Sequence, residues 1–154
     1  MEALLEEKIR SDLEGSMRQK DQLRTDTLRM LLSSIHSRLI EKKGQGKTEL
    51  SNEEVLEVVA KEAKKRREAA EIFISGGRND LAEKERKELV IVEIYLPAQA
   101  SDEEIEKVVK KAIEIVNPTS QKDFGKVMAE AMKDLKGKAD GTRIGNCIKQ
   151  FLSF

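Results

Sequence analysis

Aromatic side chains are scarce in this chain of 154 residues, which has one tyrosine, four phenylalanines and no tryptophan. Base stacking on protein rings needs exposed aromatics, and Phe73, Phe124 and Phe151 fall on the apolar stripes of expected helices. Reading of single-stranded RNA through an aromatic platform is therefore not expected. Cys147 is the only cysteine and His36 the only histidine, which excludes a disulfide framework and any zinc site built from several Cys or His ligands. No apolar run approaches the roughly 18 residues of a membrane span. Glu2, Glu6 and Glu7 occupy the place where a secretory signal needs positive charge and then an apolar stretch. Together these features predict a soluble, cytoplasmic protein. A surplus of one charge sign is also missing: 29 basic and 29 acidic side chains cancel, so no whole-molecule field draws nucleic acid or membrane, and any recognition of anions must be local.

What is abundant is helix former. Ala, Glu, Lys, Leu and Arg make up half of the residues, against two prolines and nine glycines, and this predicts an all-α protein. Leu4, Leu5, Ile9, Leu13 and Met17 recur about once per turn and predict a first helix from about Ala3 to Gln19. Asp21 caps a second helix, whose Leu28, Leu31, Leu32, Ile35 and Leu39 keep the period until Lys42. Gly44, Gln45, Gly46 and Lys47 then form a polar break. Leu50-Ser51-Asn52-Glu53-Glu54-Val55 reads as a capping box with a hydrophobic staple, so a long third helix starts near Asn52. Its seam runs Leu56, Val59, Ala63, Arg66, Ala70, Phe73 until Gly76-Gly77 supplies a left-handed stop. Asn79 or Asp80 is expected to cap a fourth helix, which Pro97 ends.

Ser101-Asp102-Glu103-Glu104-Ile105 repeats the capping-box chemistry. It opens a fifth helix through Ile105, Val108, Val109, Ala112, Ile113 and Val116. The likeness to Ser51 stops after the first turn and is not an internal repeat. A turn at Asn117-Pro118 precedes a sixth helix through Phe124, Val127, Met128, Ala131, Met132 and Leu135, which Gly137 ends. A seventh carries Ile144, Cys147, Ile148, Phe151 and Leu152 on one face. The expected architecture is thus a four-helix N-terminal region with elongated helices over residues 1–97, followed by a small three-helix C-terminal bundle over residues 98–154. A bundle that short is marginal alone, so weak stability or a hinge between the parts is expected.

Chemistry is hard to find. Gly46-Lys47-Thr48 matches the end of a phosphate-binding Walker loop, but Glu41 stands where that pattern needs glycine, and the loop follows a helix instead of a strand. A thiol nucleophile needs a base, yet Cys147 and His36 belong to separate helices in separate regions. Cys147 reads as a small buried hydrophobe and His36 as a boundary residue. The many carboxylates stand beside lysines at helical spacing and read as solvated faces. No catalytic residue, cofactor or metal is expected.

Two places concentrate positive charge. Lys61, Lys64, Lys65, Arg66 and Arg67 surround Glu62, and Arg66, on the seam between two alanines, is expected in an inter-helix ion pair. From Asn117 onward seven cations (Lys122, Lys126, Lys133, Lys136, Lys138, Arg143, Lys149) face four anions (Asp123, Glu130, Asp134, Asp140). Lys136-Gly137-Lys138-Ala139-Asp140-Gly141 is the most site-like segment, since its glycines admit a close partner and its cations surround a helix start, where anions are attracted. Against this, Asp140 is placed to cap that helix itself.

Five blocks carry a resemblance over nearly the whole chain. They are Thr27 to Leu32, Lys65 to Glu71, Gly76 to Glu85, Tyr95-Leu96-Pro97-Ala98-Gln99, and Asp123-Phe124-Gly125-Lys126-Val127-Met128 followed by Lys136 to Gly141. In these the chain resembles the YqeY family, which is related to the C-terminal tail domain of the B subunit of glutamine-dependent aspartyl/glutamyl-tRNA amidotransferase. Cys147 and its neighbours depart from the family's last helix, which touches core packing more than a site. The resemblance implies a two-part helical fold and a link to transfer RNA, whose elbow side the amidotransferase tail reaches near the D loop. Related stretches are appended to some glutaminyl-tRNA synthetases. The amidotransferase's chemistry lies in a separate catalytic domain, with ammonia from another subunit, so a carbon–nitrogen ligase label here would mean association with the pathway. The expected function is a non-catalytic module for transfer RNA or other structured RNA, contacting phosphates through Lys122, Lys126, Lys136, Lys138 and Arg143. The alternative is a module that docks on an amidotransferase or aminoacyl-tRNA synthetase without touching RNA. No membrane partner is expected.

Overall fold

A computed structural model describes residues 4–46 and 48–152. Among them are seven α-helices, one short 3-10 turn and no strand: α1 (Leu5–Arg18), α2 (Gln22–Lys43), α3 (Asn52–Ser75), α4 (Asn79–Glu93), α5 (Asp102–Val116), the 3-10 turn (Gln121–Asp123), α6 (Phe124–Leu135) and α7 (Gly141–Phe151). The chain divides into two compact units, one ending at Leu96 and the other starting at Pro97. No described helix is long and apolar enough to cross a membrane.

In the first unit the helix starts follow their local chemistry. The Asp21 carboxylate accepts the Arg24 amide at 3.2 Å and opens α2. At α3, Ser51 accepts the Glu54 amide at 3.2 Å while Glu54 reaches back to the Ser51 amide at 3.3 Å, the reciprocal bonds of a capping box. α1 starts at Leu5 and has no side-chain cap of its own; the Leu5 amide finds its acceptor on Asn52 at 3.0 Å. Ile9 from α1, Leu28, Leu31 and Ile35 from α2, Val55, Val59 and Ala63 from α3, and Val92 from α4 form one core, joined by Leu50 and Tyr95.

The fourth helix departs from expectation. Its cap position is Arg78, which makes no capping bond, and Asn79 and Asp80 lie within the first turn. The reason is the end of α3, where Gly77 turns left-handed at φ 74° and the Arg78 amide donates to the Phe73 carbonyl at 2.7 Å. The chain enters α4 directly from that closure, leaving no extended residue for a side-chain cap. Asp80 instead takes two bonds at 3.2 Å from the Arg78 guanidinium, which hold its carboxyl below the usual range. The helix then stops after Glu93, and Tyr95 and Leu96 complete a turn before Pro97.

In the second unit Ser101 caps α5 by accepting the Glu104 amide at 3.1 Å, and Asn117 ends it in the left-handed region at φ 50°. Ile105 and Val109 of α5, Val127 and Leu135 of α6, and Ile144 and Ile148 of α7 form the core, with Ala100, Ala112 and Ala131 leaving little bulk between the helices. Phe151 falls outside it. Expected on the buried stripe, it is 37% exposed at the last turn of α7, with Lys110 Nζ 5.1 Å from its ring centre. Cys147 is half-buried against this core, and burial, followed by the charges of Glu106 and Asp102, pushes its thiol up. His36 is exposed instead of lying at a boundary.

Candidate nucleic-acid interface

In the first cluster of cations, Arg66 and Arg67 are engaged with carboxylates inside their own unit. Arg66 is 4% exposed and bonds Glu62 Oε2 at 2.9 Å, while its Nε faces Glu88 Oε2 on α4 at 3.5 Å. This is the inter-helix ion pair expected from its seam position. Ser34 of α2 donates to Glu62 at 3.0 Å, Lys65 lies 3.4 Å from Glu62, and Arg67 reaches Glu93 of α4 at 3.2 Å. Burial raises the Glu62 carboxyl, but the bonds from Arg66 and Ser34 and the charge of Lys65 outweigh it and hold the group below its ordinary value. Arg66 and Arg67 thus tether α3 to α4, while Lys61, Lys64 and Lys65 stay exposed. The glycine-rich break after Lys42 does follow a helix, with Gly46 left-handed at φ 88°; Lys47 lies outside the described residues.

All five candidate contact residues are exposed, but they differ in what they touch. Lys126 Nζ lies 3.6 Å from Asp123, and Arg143 bonds Asp102 at the start of α5 at 2.6 Å. Asp123 is itself fixed by its turn: its carboxylate accepts the Thr119 amide at 2.9 Å, and that bond, with the nearby Lys126 charge, holds it below the usual range. Lys122 and Lys138 make no ion pair among the described residues. Lys136 opens the turn that follows α6.

That turn is firmly built. Gly137 takes φ 77°, where a Cβ would be strained, and the Lys138 amide closes back on Leu135 at 2.9 Å. The segment before α5 is tied to it, because the Ala100 amide donates to the Lys138 carbonyl at 2.7 Å and the Gln99 side chain to the Gly137 carbonyl at 3.2 Å. Asp140 then accepts the Thr142 amide at 2.9 Å and caps α7. The start of α7 is therefore occupied by a carboxylate of its own chain, and the helix end attracts phosphate less than the glycines alone suggest.

Beside this turn an open groove of about 410 Å³ runs between α5 and the end of α6. Ala100, Val108 and Leu135 give it apolar surface, Lys107, Lys133 and Lys138 bring three cations, and Glu104 and Asp134 bring two anions. Lys107 and Lys133 are not among the five expected contacts. Glu104, Lys107 and Val108 share one face of α5 at i, i+3 and i+4, and the packing of α5 on α6, together with the tie between Ala100 and Lys138, sets that face beside the turn.

The chain's relatives add a frame to this geometry. The family pattern described as Yqey-like protein matches residues 6–152. Altered inheritance of mitochondria protein 41, mitochondrial, from Vanderwaltozyma polyspora is 31% identical over 134 residues, which cover 86% of this chain and 67% of that protein. Proteins of the same name from Lachancea thermotolerans and Pyrenophora tritici-repentis are 29% and 27% identical, covering 85% and 86% of this chain and 68% and 71% of theirs. These names overturn the expectation of a cytoplasmic protein, since each relative is described as mitochondrial. The expectation rested on acidic residues near the N-terminus and on the lack of an apolar span, features that suit any aqueous compartment and do not choose among them.

Proposed function

The chain belongs to the Yqey-like family, and from that premise we propose that it is a non-catalytic helical module that binds RNA, with transfer RNA as the natural candidate. In this reading it acts in association with glutamine-dependent tRNA amidation. The four helices up to Pro97 serve as a scaffold, and the three-helix bundle of residues 98–154 carries the contacts. The carrying observation is the turn from Lys136 to Asp140, held by the Ala100–Lys138 and Gln99–Gly137 bonds, with Lys136 and Lys138 exposed on it. Lysines on a preorganised turn lose less freedom on meeting a phosphate than lysines on a loose loop. The kinship with the amidotransferase tail drawn from the sequence supports the choice of transfer RNA.

Titration of unacylated transfer RNA at two ionic strengths tests the reading. Binding is expected at low salt and weaker binding at higher salt, because every neutralised phosphate releases counterions. No binding at either salt would overturn it, and glutamine hydrolysis by the purified protein would overturn its non-catalytic part.

A second reading rests on apolar exposure in the first unit. Ile72, Val90 and Ile94 on or next to α3 and α4 are 70%, 64% and 53% exposed. Side chains of this kind suit docking on an amidotransferase or aminoacyl-tRNA synthetase without RNA contact. Recovery of partners from extract with and without nuclease separates the two: RNA-dependent recovery favours the first, nuclease-resistant recovery the second.

A further inference from the structure

The groove between α5 and the end of α6 gives the RNA reading a specific seat. We propose that it holds one backbone phosphodiester of the bound RNA, gripped by Lys107 from α5 and Lys138 from the turn; this rests on the RNA-binding reading above.

Three observations carry the assignment. First, the lining carries cations for one diester and no more. Of its three lysines Lys133 is taken by Glu130, which leaves Lys107 and Lys138 against Glu104 and Asp134, so the lining has no surplus of positive charge for a run of phosphates. Second, the two named lysines are available. Lys133 is held by Glu130 at 2.8 Å, and that bond raises its affinity for its proton, whereas Lys107 and Lys138 make no ion pair among the described residues. Third, the walls are fixed in place. Lys138 belongs to a turn whose carbonyl is bonded at 2.7 Å to Ala100 at the entry of α5, so the two lysines stand on elements already joined before any ligand arrives. The groove, at about 410 Å³, is also larger than a lone phosphate needs, and the apolar surface of Val108 and Leu135 suits the ribose next to the diester. Lysine stems can lie along such surface while their charged ends reach the phosphate oxygens.

The test compares the wild-type chain, the double variant Lys107→Gln/Lys138→Gln and a control, Lys149→Gln, which removes one charge from α7 outside the groove. Each is titrated with transfer RNA over several salt concentrations. The double variant is expected to bind roughly tenfold more weakly. The slope of log affinity against log salt should become shallower by about one, as follows when one phosphate keeps its counterion on binding. The control should stay within about twofold of wild type, as expected of a charge that meets no phosphate. Wild-type binding with an unchanged double variant would overturn the groove and leave the RNA reading standing. Equal losses in the double variant and the control would overturn it too, by showing general attraction. Absence of wild-type binding would overturn both. A measurement free of mutation comes from amide NMR of the wild-type chain: addition of RNA should shift Lys107, Lys138 and Ala100, and no shift there while RNA is bound would overturn the proposal.

Discussion

Glu85 and Glu88, three residues apart on α4, both lie within reach of the Arg66 charge. Glu88 is buried beside Arg66. Glu85 is raised above its ordinary value by burial first and by the charge of Glu88 second, with Arg66 and Lys84 compensating only in part. A carboxyl whose folded value is raised weakens the fold above that value and does not do so when both states are protonated. Glu85→Gln should therefore raise the urea midpoint slightly at pH 7 and leave it unchanged near pH 3, in denaturation followed by circular dichroism. Glu62 has the opposite sign. Its folded value is depressed from 4.5, so its contribution is fully present above that pH and is lost as pH falls through the lower folded value. Arg66 connects the two carboxylates. Arg66→Met leaves Glu62 and Glu88 buried without their counterion and should cost about 3 to 5 kcal/mol in the same assay at pH 7. A loss under about 1 kcal/mol would show that water or Lys65 already satisfies them.

Helix boundaries depend on short stretches of chain, and this explains which are legible. The Ser51 and Ser101 starts and the Gly77 and Gly137 stops need only neighbours within about five residues, and all four appear where the sequence places them. The start of α4 is not legible in the same way, because Arg78 both closes the end of α3, its amide on the Phe73 carbonyl, and occupies the cap position of α4. Arg66 stands out in the sequence as an odd residue on a seam, but Glu88, its partner on α4, does not, because spacing along one helix says nothing of the facing one. The same limit hides Lys107, whose groove forms where α5 packs on the end of α6 and Ala100 bonds Lys138. Two substitutions test how much these local devices carry. Ser51→Ala should cost about 1 kcal/mol by removing one half of the capping box. Gly77→Ala should cost about as much, because open space surrounds the added Cβ and only the left-handed backbone resists it. Thermal unfolding of each variant measures both, and an unchanged Gly77→Ala would mean that the closure onto Phe73 tolerates another geometry.

The two units differ in what holds them. The unit ending at Leu96 buries Ile9, Leu28, Leu31, Ile35, Val55, Val59 and Val92 together and adds the Arg66–Glu88 ion pair between α3 and α4 and the bond from Tyr95 to Asp12 at 2.6 Å. The unit starting at Pro97 has three helices, and alanines make up three of the nine buried residues in its core. Small domains bury a smaller share of their surface, and an alanine buries less apolar area than a leucine or isoleucine, so the second unit has the smaller reserve of stability. Native-state hydrogen exchange should therefore report lower protection for the slowest amides of α5, α6 and α7 than for those of α2 and α3, by about one to two orders of magnitude. Bound RNA should narrow the gap, because a ligand that binds only the folded unit stabilises it in proportion to the logarithm of its concentration over Kd. Protection that rises in α5 and around Lys138 but not in α2 would tie the ligand to the C-terminal unit. A rise confined to α3 and α4 would move the binding surface to the exposed Ile72 and Val90 side and favour docking on protein.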